Sequence, residues 1–212
     1  MKNTVSIISK GTLTKTNGLE EEYEIVYGWN LELSKNCDTQ WAEHNLIFFQ
    51  YIQDNIKEED LDEVLESLQV EDKHWSWFNK SMHFYADVYK WFYLLAEDKI
   101  QGTCVIYQPK ESLIGEGNIF YIEFIAAAPW NRKTLITDKE YKGVGTILIT
   151  AILKYALEKF ALRPGFSLHS LPQATGYYEK LGMINCATED KNRLKYYEIP
   201  ITEAELLMKN YQ

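Results

Sequence analysis

The hexapeptide Tyr141-Lys142-Gly143-Val144-Gly145-Thr146 stands immediately before a long apolar-periodic run. A helix N-terminus exposes unpaired N–H groups and carries partial positive charge, and glycines let a backbone approach an anion closely, so this turn suits a phosphate. It lacks the Gly-Lys-Ser/Thr ending of a nucleotide P-loop and the third glycine of a dinucleotide fingerprint. A second feature is Glu123, which interrupts the otherwise apolar run Ile119–Ala128. A carboxylate there is costly unless it is paired or faces a wet cavity, and burial raises its pKa toward the range of a general base. His169 and Ser170 are neighbours on an expected strand and so point to opposite faces, which excludes them as a nucleophile–base pair. His44, His74 and His83 have no metal-ligand spacing, and the three cysteines, Cys37, Cys104 and Cys186, form no C-x-x-C pair. No metal site is predicted.

The elements that must position these residues follow from periodicity. Val144–Phe160 carries Val144, Ile147, Leu148, Ala151, Ile152 and Tyr155 on one stripe and reads as a helix, stopped by Arg163-Pro164-Gly165. Tyr89–Ala96 and Ile100–Tyr107 flank Glu97-Asp98-Lys99 and predict a hairpin; Ile119–Ala128 reads as a central strand covered on both faces. Phe166–Leu171 is a short strand, Gln173–Lys180 a short helix ending at Gly182, and the last strands are expected around Met183–Ala187 and Leu194–Ile199. Thr202–Tyr211 is expected to be a terminal helix, with Thr202 and Glu205 in capping-box spacing. Toward the N-terminus, Glu22–Trp29 reads as a first strand. Residues 38–56 read as a helix capped by Asp38 or Thr39, and residues 58–69 as an amphipathic helix. His74–Phe78 and Met82–Tyr85 read as aromatic packing, with the lining of an acceptor site as the alternative. The order of elements describes a mixed α/β (α+β) domain, one unit over residues 1–212.

Three landmarks in order carry a family resemblance. Glu140-Tyr141-Lys142-Gly143-Val144-Gly145 resembles the Gln/Arg-x-x-Gly-x-Gly/Ala signature of the GNAT acetyltransferase superfamily. Ile122-Glu123-Phe124-Ile125-Ala126-Ala127-Ala128-Pro129 is similar to its central strand, and Ala174-Thr175-Gly176-Tyr177-Tyr178-Glu179-Lys180-Leu181-Gly182-Met183 to its closing segment. The resemblance covers residues 89 to about 190 well. It implies a central, mostly antiparallel sheet flanked by helices, with acetyl-CoA as co-substrate. Residues 89–200 would be the acetyl-CoA-binding core, and residues 1–88 a divergent strand and helices on the acceptor side. By position, it implies that amides from Tyr141 and Lys142 through Gly143, Val144, Gly145 and Thr146 hold the pyrophosphate. Phe124, Ile125, Ala126, Ala127 and Ala128 would lie along the pantetheine arm, with Tyr177 also at the coenzyme. Tyr178 would protonate the leaving thiolate and Glu123 would deprotonate the amine. Two features depart from the pattern. Glu140 replaces the usual Gln or Arg and is expected to point away, and the loop Trp130–Tyr141, with Arg132, Lys133, Lys139 and Lys142, is longer than usual.

Apolar residues make up 46% and charged residues 25%, ordinary for a globular domain, and the net charge of −9 argues against nucleic acid as a partner. No apolar stretch is long enough to cross a bilayer, no signal peptide follows Met1-Lys2-Asn3, and reduced, mostly buried thiols suit the cytoplasm. The expected activity is transfer of an acetyl group to a primary amine by direct attack in a ternary complex. A non-catalytic acyl-CoA-binding module of the same fold is the alternative. The acceptor, a small molecule or a peptide, is not legible, and a homodimer stays open.

Overall fold

The computed structural model describes residues 4–68, 71–72, 74–134 and 137–210; Met1–Asn3 and the Tyr211 end of the expected last helix lie outside them. Along the chain come strands β1 (Ser6–Thr14) and β2 (Glu20–Tyr27), then helices α1 (Leu31–Asn55), α2 (Glu58–Ser67) and α3 (Trp77–His83). The sheet continues with β3 (Tyr89–Ala96), β4 (Lys99–Glu111) and β5 (Asn118–Ala127), followed by α4 (Val144–Phe160), β6 (Phe166–Ser170) and α5 (Thr175–Lys180). The chain closes with β7 (Ile184–Asn185), β8 (Lys195–Glu198) and α6 (Ile201–Asn210). The strands form one sheet in the order β1-β2-β3-β4-β5-β6-β8-β7. Every pairing is antiparallel except β5 with β6, which are parallel because α4 carries the chain back between them. The mixed α/β class and the mostly antiparallel sheet agree with the expectation.

Successive residues of β3 from Trp91 to Ala96 show why that stretch is apolar. Trp91 and Tyr93 pack with Trp41, Trp77 and Cys37 under α1 and α3, whereas Phe92 and Leu94 pack with Leu148, Ile152 and Leu153 of α4. A strand covered on both faces has no polar side to show. The two cores sit on opposite faces of the sheet, and the glycine turn that opens α4 belongs to the α4 face. Gly102 lets α4 settle there, since a Cβ at that position would stand 3.1 Å from Val144 Cγ1.

The expected caps need correction. Asp38 and Thr39 are inside α1, which starts at Leu31, and Asn30 caps it by accepting from the Leu33 amide at 2.9 Å. Asp38 instead accepts from Ser76 Oγ and from the Trp77 and Phe78 amides, fixing the start of α3 from another helix. Thr202 lies within the first turn of α6, where the Ala204 amide closes on the Pro200 carbonyl, so it is not the cap. The edge strand β1 was not expected. Its sequence mixes Ser, Lys, Gly and Thr, and only Leu13 is buried along it.

Candidate active site

The site is built where two strands part. β5 and β6 pair at Phe120–Phe166, Tyr121–Ser167 and Ile122–Leu168, and there the pairing stops, although β5 stays paired with β4 as far as Ala127. Opposite this point the β4–β5 register shifts: Val105 faces Phe124 while Ile106 faces Ile122, so Glu123 is a bulge without a partner. A bulge re-aims the side chain it carries. The charge of Glu123 accordingly registers on Lys80 of α3 and on Tyr89 and Tyr121, all groups away from the α4 face. Burial raises the Glu123 pKa above the usual carboxylate value, with Lys191 and Lys80 opposing the rise.

A cleft of about 390 Å³ opens in the gap, within the range of small-molecule sites. Its walls include β5 from Ile122 to Ala127, the start of α4 from Gly143 to Thr146, and Tyr177 and Tyr178 of α5. The structure thus brings together Glu123, Phe124, Ile125, Ala126, Ala127, Tyr141, Gly143, Val144, Gly145, Thr146, Tyr177 and Tyr178. Ala128 and Lys142 are not on its wall. Ala128 is buried, its amide donating to the Gln101 carbonyl, and the Lys142 amide donates to Thr14. The Tyr141 amide likewise donates to Asn131 Oδ1 at 3.0 Å, and its hydroxyl is bonded to Glu97.

The open donors therefore begin after residue 142. Gly143 caps α4 with φ +75°, a left-handed conformation that a glycine adopts without steric cost. Ile147 is the first amide to close on the helix, to Gly143, which leaves the amides of Val144, Gly145 and Thr146 without a carbonyl inside it. A Cβ built on Gly145 meets nothing within 4 Å. Helix-start amides without an intrahelical carbonyl, with open space in front of Gly145, fit a diphosphate. The edge of β5 past Ile122, unpaired on its β6 side, fits the amide-bearing arm that joins a diphosphate to a thiol.

At the other end, Tyr178 is buried, and burial pushes its phenol far above the usual range, so it keeps its proton at any working pH. The Tyr177 hydroxyl bonds Thr146 Oγ1 at 2.9 Å, tying α5 to the first turn of α4. His169 lies on the same wall. Its Nε2 bonds the Glu189 carbonyl at 2.8 Å, and because a carbonyl only accepts, Nδ1 is the acceptor for the Tyr121 hydroxyl at 2.7 Å. Burial lowers its pKa. Glu140 keeps clear of the cleft; its charge acts on His44 of α1.

Two wall residues that the sequence singles out, Arg132 of the long loop and Trp75 of the aromatic segment, take part in contacts that no local pattern shows. Arg132 grips Asp72 through both guanidinium nitrogens at 2.6 Å and also donates to the Ala127 carbonyl at 2.9 Å, so it clamps the loop after β5 rather than standing free. Trp75 crosses Phe124 edge to face at 5.2 Å. A second cavity of about 380 Å³, between α1, the segment before α3 and the Pro129 turn, shares Asp72, Trp75 and Arg132 with the first. Among the described residues no group of three or more His, Cys, Asp or Glu is placed to hold a metal ion, and no helix is long and apolar enough to cross a membrane.

The sequence profile of the acetyltransferase (GNAT) family matches residues 52–183. No curated protein matches the chain. Among solved structures, the PaiA N-acetyltransferase of Thermoplasma acidophilum in complex with coenzyme A is 11% identical; the match covers 82% of this chain and 97% of that one, with a TM-score of 0.47. A putative GNAT acetyltransferase of Desulfovibrio desulfuricans is 14% identical over 84% of this chain and 99% of its own, TM-score 0.46. The Campylobacter jejuni N-acetyltransferase PseH in complex with acetyl coenzyme A is 19% identical over 74% and 89%, TM-score 0.39.

Proposed function

The chain belongs to the acetyltransferase (GNAT) family, and from that premise we propose that it moves the acetyl group of acetyl-CoA to a primary amine by direct attack within one ternary complex. The carrying observation is the bulge: it sets Glu123 on the wall of the cleft at the point where β5 and β6 separate. Acetyl-CoA supplies an activated acyl carbon on a good leaving group; the chain's own residues position it and move protons. Val144, Gly145 and Thr146 hold the diphosphate through their amides, and the β5 edge from Phe124 to Ala127 orients the arm. Backbone donors on that edge meet the charge that develops on the carbonyl oxygen. Glu123, its basicity raised by burial, accepts the amine proton, and Tyr178 donates to the sulfur.

Residues 1–88 form the acceptor side of a single domain in this reading. The net charge of −9 favours a small-molecule or peptide amine over nucleic acid. The buried thiols of Cys37 and Cys104 suit a cytoplasmic setting. Release of free coenzyme A thiol across a panel of amines tests the reading. Turnover should fall by about 100-fold or more in Glu123→Gln and by at least about tenfold in Tyr178→Phe, with coenzyme A binding retained. Wild-type turnover in both variants removes these roles, and coenzyme binding without thiol release from any amine replaces the enzyme with a binding module.

A further inference from the structure

The α3 helix lays one primary amine of the chain itself against two aromatic rings of the cleft wall. Lys80 Nζ lies 3.3 Å from the centroid of the Phe124 ring and 4.5 Å from that of Trp75. Both rings are on the cleft wall, and they cross edge to face at 5.2 Å, with Phe84 also crossing Phe124 edge to face at 5.1 Å. Phe124 is the residue after Glu123 on the bulge. Lys80 therefore occupies an aromatic cage built on Phe124, the residue that follows the proposed base, and the Lys80 and Glu123 charges act on each other. A cage of this type holds an ammonium by its π-faces.

Nothing in the packing of α3 requires a lysine in this place. The helix is anchored by Trp77 and Ser81, both buried, and by Asp38 at its N-terminus. The Lys80 side chain ends with its Nζ over the Phe124 and Trp75 rings. Burial lowers its pKa to about 8, against the opposing pull of the Glu123, Asp38 and Asp72 carboxylates. A sizeable fraction of the amine is neutral under mildly alkaline conditions, which is the form that attacks an acyl carbon.

We propose that Lys80 is an internal acceptor: with acetyl-CoA in the cleft and no external amine, the chain acetylates its own Lys80 Nζ. The inference rests on the reading of the cleft as a coenzyme A site. The Nζ lone pair forms the new C–N bond to the acyl carbon while the C–S bond breaks. Glu123 takes the proton lost by the amine, and the sulfur leaves with a proton as the free thiol. The product is one acetyllysine and one coenzyme A, with no oxidant or further reactant. A four-carbon stem with freely rotating bonds lets the amine turn from the ring toward the gap without moving α3.

The full-length chain is incubated with acetyl-CoA at pH 8 without added amine, and acetylation is mapped by peptide mass spectrometry against Lys57, an exposed lysine whose side chain is 77% accessible. Lys80 is expected to be acetylated at least about tenfold faster than Lys57. Excess coenzyme A should suppress acetylation at Lys80 and leave Lys57 unchanged, and Glu123→Gln should slow it at Lys80 alone. Gly145→Leu provides a second arm that blocks the coenzyme without touching the cage. Coenzyme A binding is measured in parallel by calorimetry. If the coenzyme binds and Lys80 reacts no faster than Lys57, or reacts equally under excess coenzyme A, the internal acceptor is overturned and the coenzyme site stands. If the coenzyme does not bind, the site reading fails and takes the proposal with it.

Discussion

Glu123 shows what a buried carboxylate costs the fold that holds it. Folding raises its pKa, chiefly by burial, so the folded chain holds that proton more tightly than the unfolded chain does. The group weakens the fold as pH rises from its ordinary value of 4.5 through the raised folded value, and below both values it costs nothing. Glu123→Gln should therefore melt at a higher temperature than the wild type at pH 8 and at the same temperature near pH 4, while losing activity at pH 8. Calorimetric melting at the two pH values checks this; an equal or lower melting temperature at pH 8 would place the carboxylate in a satisfied ion pair instead. In the active enzyme the same shift predicts that turnover falls as pH drops through the raised value. Glu123 was legible in the sequence because an acid inside an apolar strand is anomalous. Lys80 was not, because a lysine on a short helix is ordinary until folding lays it against Phe124.

Among the elements, the start of α4 was the most legible, since glycine spacing and a strong apolar stripe agree on one boundary, and the helix runs over Val144–Phe160 as the periodicity requires. The amides were less so. The sequence places Tyr141 and Lys142 in the same turn, but their N–H groups are consumed by Asn131 and Thr14, which come from other elements. Long-range partners of this kind leave no local pattern. The two glycines then separate by role. Gly143 is needed for its left-handed φ, so Gly143→Ala should cost about 1 kcal/mol of stability in chemical unfolding. Gly145 has ordinary backbone and empty space before it, so Gly145→Leu should leave stability within about 0.5 kcal/mol yet weaken coenzyme A binding by at least about tenfold. Unchanged coenzyme affinity in Gly145→Leu would mean that the phosphates lie elsewhere. The start of α3 makes the same point about legibility: Asp38 reads locally as a cap for its own helix and serves a different one.

Across the whole molecule, the cleft depends on both faces of the sheet at once. The α4 face supplies the amides, and the α1–α3 face supplies Trp75 and the Asp72–Arg132 clamp on the β5 loop. All six tryptophans, Trp29, Trp41, Trp75, Trp77, Trp91 and Trp130, belong to the core on the α1–α3 face or pack against it. Tryptophan fluorescence thus reports on that face alone, whereas far-ultraviolet circular dichroism reports on all helices and strands. If residues 1–88 and 89–200 are one domain, both probes should give the same denaturation midpoint. Saturating coenzyme A, whose proposed diphosphate site is on the α4 side, should move the two midpoints upward together, by a free energy that grows as RT ln(1 + [L]/Kd). Separate transitions, or a ligand shift seen by dichroism and not by fluorescence, would split the chain into an acceptor unit and a coenzyme unit. The sheet argues for coincidence: β3 buries Trp91 and Tyr93 in one core and Phe92 and Leu94 in the other, so neither face can unfold without baring a strand that the other face needs.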